Sequence, residues 1–164
     1  MTYNATFGPI PSNCQAFLNA GYKVWEPSRP AFRRSGLLLL NPTVEERINK
    51  PSCGDHDQLR AQARATFDAY VEDGTDALRL FKRLSNQLKL YELRIPTPKP
   101  GARLIGGFID TDTFVAVDFY TRDELPFKNT GQAGRISWPD VVNDAVNRWN
   151  AIVPNVPRVI IEQN

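Results

Sequence analysis

Apolar residues along the chain change period several times, and each change predicts an element. In "GDHDQLRAQARATFDAYVEDG", Leu59, Ala63, Phe67 and Tyr70 recur at helical spacing, with Arg60, Gln62 and Arg64 on the opposite face. Asp57 is the expected N-cap and Gly74 the expected stop. Leu78, Phe81 and Leu84 continue at three-residue spacing, predicting a second helix over about 75–84 and a helical hairpin with a short connection. The period then falls to two. "KLYELRI" sets Tyr91, Leu93 and Ile95 on one face and Leu90, Glu92 and Arg94 on the other. "PTPKPG" cannot continue a strand. "ARLIGGFI" is a second strand in which Arg103 and Ile105 share a face, "DTD" a tight turn, and "TFVAVDFY" a third strand. Such short links favour an antiparallel meander.

Near the C-terminus, "SWPDVVNDAVNRWNAIVP" offers Ser137 as cap, Pro139 in the first turn and Asp140 completing the start. Val142, Ala145, Val146 and Trp149 form the apolar stripe, and "PRVII" is a candidate edge strand. The first 56 residues are broken by six prolines, which argues against long helices there. "YKVWE" predicts a short strand, and "GLLLLNPTVEERI" a buried strand leading into one or two helical turns capped by Asn41 or Thr43. These residues are treated as an N-terminal extension packed on a domain formed by 57–164.

At 164 residues and 41% hydrophobic composition the chain can bury a core without disulfides. Cys14 and Cys53 match no metal-ligand spacing; a free reduced pair is preferred over a disulfide tying down the N-terminal segment. The N-terminus lacks the basic and apolar regions of a signal peptide, and "GLLLL" is too short to cross a bilayer, so a cytoplasmic protein without membrane contact is expected. No P-loop, Rossmann glycine pattern, HExxH or GxSxG occurs, which disfavours those enzyme classes; no cofactor or metal is expected. Trp25, Trp138 and Trp149 are expected core or interface anchors, and the single histidine, His56, a surface residue before a helix cap.

A net charge of +2 hides a local imbalance. From Arg79 through Leu104 there are seven Lys or Arg residues and one acid, Glu92; from Ile105 to Lys128 there are five acids and two bases. Such a basic belt, with Lys82, Arg83, Lys89 and Arg94 in it, can meet phosphates. Arg94 and Arg103 sit inside strands. Either they pair with Glu92 or Asp118 on a solvated sheet face, or they serve a ligand. Gly106 and Gly107 mark a bulge or the close approach of another chain or ligand. "RPAFRR", residues 29–34, is read as a solvated arm.

The order of elements and the motifs "FKRLSNQLKLYELRI" and "PGARLIGGFIDTDTFVAVDFYTRDE" resemble the RelE/ParE toxin superfamily, closest to its HigB-like branch, over about residues 57–125. The resemblance implies an α+β fold, an antiparallel sheet of at least three strands against a helical hairpin, here with a C-terminal helix. It also implies the toxin of a toxin–antitoxin module: a metal-independent endoribonuclease cleaving mRNA, in many members on the ribosome, with an antitoxin as partner. On that pattern Arg94 and Arg103 stabilise the phosphorane, Tyr120 serves proton transfer, and Lys82, Arg83, Lys89 and Arg122 contact nucleic acid. Where the family carries a basic "FVKK"-type run, this chain reads "FYTRDE". That departure keeps two other readings open, a non-catalytic protein-binding module and a gyrase-directed toxin.

Overall fold

The computed structural model describes residues 10–29, 34–50, 56–99, 101–125, 136–154 and 158–161, with the side chains of residues 75, 76 and 78 left out of account. Its centre is a six-stranded sheet of β1 (Lys23–Val24), β2 (Leu37–Leu40), β3 (Phe81–Ser85), β4 (Leu90–Ile95), β5 (Ala102–Phe108) and β6 (Thr113–Thr121), in the order β1-β2-β6-β5-β4-β3. The meander β3–β6 is antiparallel throughout, as the short links require. β2 joins it in parallel, Leu37 opposite Thr113 and Leu40 opposite Ala116.

Helices cover both faces. Asn41 caps α2 (Pro42–Asn49), its side chain accepting from the Thr43 amide. α2 and α3 (His56–Asp73) pack on one face, where Val44, Ile48, Leu59, Ala63, Phe67 and Tyr70 meet Tyr91, Leu93, Ile95, Leu104, Phe114 and Phe119; the hairpin expected between α3 and a helix over 75–84 does not form. The centre of this layer is aromatic: Phe81, Phe108 and Phe114 stand within 4.8–5.1 Å of one another, centroid to centroid. The opposite face packs against α1 (Gln15–Asn19) and α4 (Trp138–Ile152) through Phe17, Val141, Ala145 and Trp149. The fold is therefore α+β, a mostly antiparallel sheet between helices. No described helix is long and apolar enough to cross a membrane.

The strands expected in "KLYELRI", "ARLIGGFI" and "TFVAVDFY" occur as β4, β5 and β6, the first two with their expected faces, and α4 starts at Ser137 as expected, its side chain accepting from the Asp140 amide. Val141, rather than Val142, is its fully buried valine. The helix expected over 75–84 does not form. A 3-10 segment runs Gly74–Leu80, and Phe81–Ser85 is a strand. Only Leu78 of the three spaced residues lies in the 3-10 segment; Phe81 and Leu84 are in the strand, packing on opposite faces of the sheet, and "FKRLS" pairs with β4, Phe81 opposite Leu93. Lys82 and Arg83 are thus strand residues and compensate no helix dipole. Gly74 does end α3, with φ +56°. Asp57 lies inside the first turn of α3 and pairs with Arg60 instead of capping. "PRVII" contributes one bridge, Val159 to Phe108.

The two strand glycines have a packing reason. A Cβ on Gly106 would lie 2.0 Å from the Val115 carbonyl oxygen, at the bulge where β5 and β6 shift register. One on Gly107 would meet the Arg158 side chain at 2.8 Å. The close neighbours are the protein's own.

Cys14 is free and fully buried; Cys53 lies outside the described residues. Burial, with a contribution from Asp110, raises the Cys14 thiol from 9.0 to about 11. Burial likewise raises Tyr22, Tyr70 and Tyr120. An acid with a raised folded pKa ionises first in the unfolded chain, so its contribution is complete below the unfolded pKa and is lost as pH rises through the folded one. Unfolding free energy should therefore fall from pH 9 to 11, and Cys14→Ala should flatten the first part of that fall. Urea titrations at pH 7, 9, 10 and 11 check this; a flat profile would contradict it.

Candidate anion-binding cleft

Arg94 and Arg103 are direct cross-strand partners on β4 and β5, and both point to the face that carries α4. A cleft of about 570 Å³ opens there, lined by Lys82, Arg83, Leu84, Glu92, Arg94, Arg103, Arg122, Trp138 and Val142. Strand pairing explains the convergence. Lys82 lies opposite Glu92 across β3 and β4, Glu92 opposite Ile105 and Arg94 opposite Arg103, so alternate residues of three strands share one surface.

Glu92 organises the cations. Its side chain is only 4% exposed. One oxygen accepts from Arg94 Nε at 2.9 Å. The other lies 3.4 Å from Arg103 Nε and makes no hydrogen bond. Arg103, 17% exposed, is anchored further by donating from Nη1 to its neighbour's carbonyl, Ala102 O, at 2.7 Å. Arg94 is 44% exposed and reaches solvent. Burial lowers the Arg103 pKa, Glu92 opposes the shift, and Arg94 and Arg122 reinforce it. Arg103 stays protonated among like charges, and a bound anion would relieve their repulsion.

Arg122 lines the cleft from beyond β6; its amide donates to Gly101 O at 2.8 Å and its Nη1 to Leu125 O at 3.3 Å. Lys82 lines it from the outer strand and is exposed. Arg83 turns to the other face, donating to Asn86 and to Ile161 O, its guanidinium 5.8 Å from the Tyr91 ring centroid. Lys89 sits in the β3–β4 turn with φ 50° and does not line the cleft.

Tyr120 is opposite Arg103 across β5 and β6 but is not among the lining residues. Its hydroxyl donates to Asp118 Oδ2 at 2.8 Å. Burial first, then Asp118, raises its pKa, so the phenol is held as a protonated donor. Asp118, 2% exposed, is the centre of a separate polar cluster. It accepts from the Phe119 amide at 2.8 Å and from Arg47 at 3.2 Å, and lies 3.5 Å from Arg148 Nε. Arg47 also binds Glu124 at 2.7 Å and lies over the Tyr120 ring at 4.8 Å. Glu124 in turn accepts from the Thr121 amide and hydroxyl. Asp118 and Glu124 are thus engaged by arginines outside the cleft. Their charge does not enter the arginine pair's field as the linear sequence suggests.

The sequence reading offers Glu92 as a partner of the arginines, and the structure pairs it with both, but it assigns Trp138 no role in the cleft. The even spacing of Glu92 and Arg94 is the available signal for Glu92. Nothing local places Trp138 there, since it comes from the far end of the chain. A second groove, about 510 Å³, runs along α3 between Arg29, Arg34, Arg64, Asp68 and Glu72. Its charges are mixed in sign, and Arg34 pairs with Glu26 at 2.9 Å. Residues 30–33 of "RPAFRR" lie outside the described residues. His56 is the exposed first residue of α3, and Trp25 donates to Asp68 at 2.8 Å on the hairpin side. Among the described residues no three His, Cys, Asp or Glu side chains group as a metal ligand set.

Compared with known protein families, curated proteins and solved structures, the chain matches none.

Proposed function

We propose that this chain is the toxin of a toxin–antitoxin module, a metal-independent endoribonuclease that cuts mRNA in the cytoplasm, on the ribosome. The observation that carries the reading is the cross-strand pair Arg94 and Arg103 on one wall of an open cleft with Lys82 and Arg122 beside it. The resemblance of residues 57–125 to RelE/ParE toxins points the same way.

In this reaction the ribose 2′-oxygen attacks the adjacent phosphorus and the 5′-oxygen leaves, giving a cyclic phosphate and a 5′-hydroxyl. Negative charge grows on the phosphorane oxygens. Guanidinium groups held by strands stabilise that charge without reorganising. Arg103, the more buried, takes the centre, and Arg94 adds a second fork. Lys82 and Arg122 bind flanking phosphates. Buried Glu92 holds the two guanidinium groups in place, while water in the open cleft takes the 2′-hydroxyl proton and protonates the leaving 5′-oxygen. An antitoxin would close the cleft by offering carboxylates to the same arginines.

Glu92→Gln removes the counter-charge between the two arginines and should raise affinity for inorganic phosphate about tenfold, read by titration; unchanged affinity would mean that Glu92 does not compete with the anion. The proposal itself is tested by inducing the gene in growing bacteria and following growth and mRNA integrity. Arrest with mRNA loss is expected for the wild type and neither for the Arg94→Ala/Arg103→Ala protein. A second reading, phosphate binding without scission, is favoured by the engagement of Tyr120 with Asp118 and of both arginines with Glu92. It predicts arrest or partner capture with intact mRNA.

A further inference from the structure

We infer that Trp138 is the nucleobase platform of the arginine cleft, so that the cleft holds one nucleotide of a single strand, base on the indole and phosphate on the guanidinium groups. This rests on the anion-binding reading above and adds what the anion is attached to.

The two sides of the cleft differ in chemistry. The sheet side is cationic, with Arg94, Arg103 and Lys82, and the helix side is apolar, with Trp138 and Val142. A free phosphate would need only the first. An indole and several guanidinium groups lining one cleft match a nucleotide, whose base has an apolar face and whose linkage is an anion. The cleft volume of about 570 Å³ lies in the usual range for ligand sites.

Trp138 is also fixed where a platform must be. It opens α4 directly after the Ser137 cap and before Pro139, so its backbone is held at the start of a 15-residue helix. The side chain is half-buried and packs against the core layer beneath α4. The other two tryptophans are committed elsewhere: Trp149 is fully buried against Phe17, and Trp25 is bound to Asp68 across the sheet. In a duplex each base face is covered by its neighbours, so a platform of this kind selects unpaired strands.

The test uses two dye-labelled pentamers of equal phosphate count, pentadeoxyadenylate and an abasic pentamer, with neither carrying a 2′-hydroxyl to be cleaved. The wild type should bind the base-bearing probe about tenfold more tightly than the abasic one, with quenching of tryptophan emission. Trp138→Ala should bind both probes with the abasic affinity and lose the quench, and Trp138→Phe should keep most of the preference. The wild-type quench reads stacking even where a variant folds poorly, because buried Trp149 cannot meet a base. Equal affinity for both probes in the wild type, or a preference that survives Trp138→Ala, would overturn the inference. Weaker binding of both probes by Arg94→Ala/Arg103→Ala would then still uphold the cleft as an anion site. If neither probe binds the wild type, or the double variant binds as the wild type does, the anion site and the platform fall together.

Discussion

Arg103→Ala is expected to lower the single-turnover rate of RNA cleavage by about a thousandfold, the upper range for removal of one fixed transition-state donor. Arg103 merits the larger effect because it is the most constrained cation of the cleft. β5 lies between β4 and β6, its guanidinium is tied to Ala102 O and faces Glu92, and it is mostly buried. Arg103→Lys restores the charge without the fork and should still lose about a hundredfold. Arg94→Ala should lose about tenfold, because a side chain reaching solvent is held less firmly and its charge is more screened. The order is the sharper test: if Arg94→Ala is as damaging as Arg103→Ala, burial does not set the contribution. Circular dichroism melts guard against misfolding, since each substitution leaves buried Glu92 with one cation fewer.

Asp118→Ala should destabilise the protein by about 3 kcal/mol without a specific effect on the cleft. Asp118 is a buried carboxylate that satisfies the Tyr120 hydroxyl and the Phe119 amide and faces two arginines. Truncation leaves buried donors without an acceptor, and stranding them costs more than their hydrogen bonds contribute in net terms. Both arginines retain some exposure and recover part of their hydration, which keeps the loss at the low end for a broken buried pair. Tyr120→Phe removes one hydrogen bond and should cost about 1 kcal/mol. Urea midpoints measure both. Per folded molecule, Asp118→Ala should bind phosphate like the wild type; a selective loss of binding would place Asp118 in the functional cleft.

Elements with a single clear period were legible in the sequence. Strict alternation in "KLYELRI" fixed which residues of β4 face α2 and α3, and the Ser137–Pro139–Asp140 start fixed α4. Leu78, Phe81 and Leu84 misled because a strand covered on both faces also places apolar residues three apart, and β3 declares itself only through its pairing with β4. The parallel pairing of β2 with β6 joins residues more than 70 apart, and no local signal carries such a contact. The same limit governs the site. Arg94 and Arg103 share a face because both strands alternate, which the sequence states. Trp138 reaches the cleft because α4 packs across the sheet, and Tyr120 is drawn away by Asp118 and Arg47, which only the packed layers settle.

The most direct test of the central claim is the chemistry of RNA ends. Purified protein would be added to a translating bacterial extract, and new RNA termini would be sequenced and assigned as 5′-hydroxyl or 5′-phosphate. 5′-Hydroxyl ends are expected at discrete positions in mRNA, absent with Arg94→Ala/Arg103→Ala. Intact mRNA, 5′-phosphate ends, or cuts that persist in the double variant would contradict that claim.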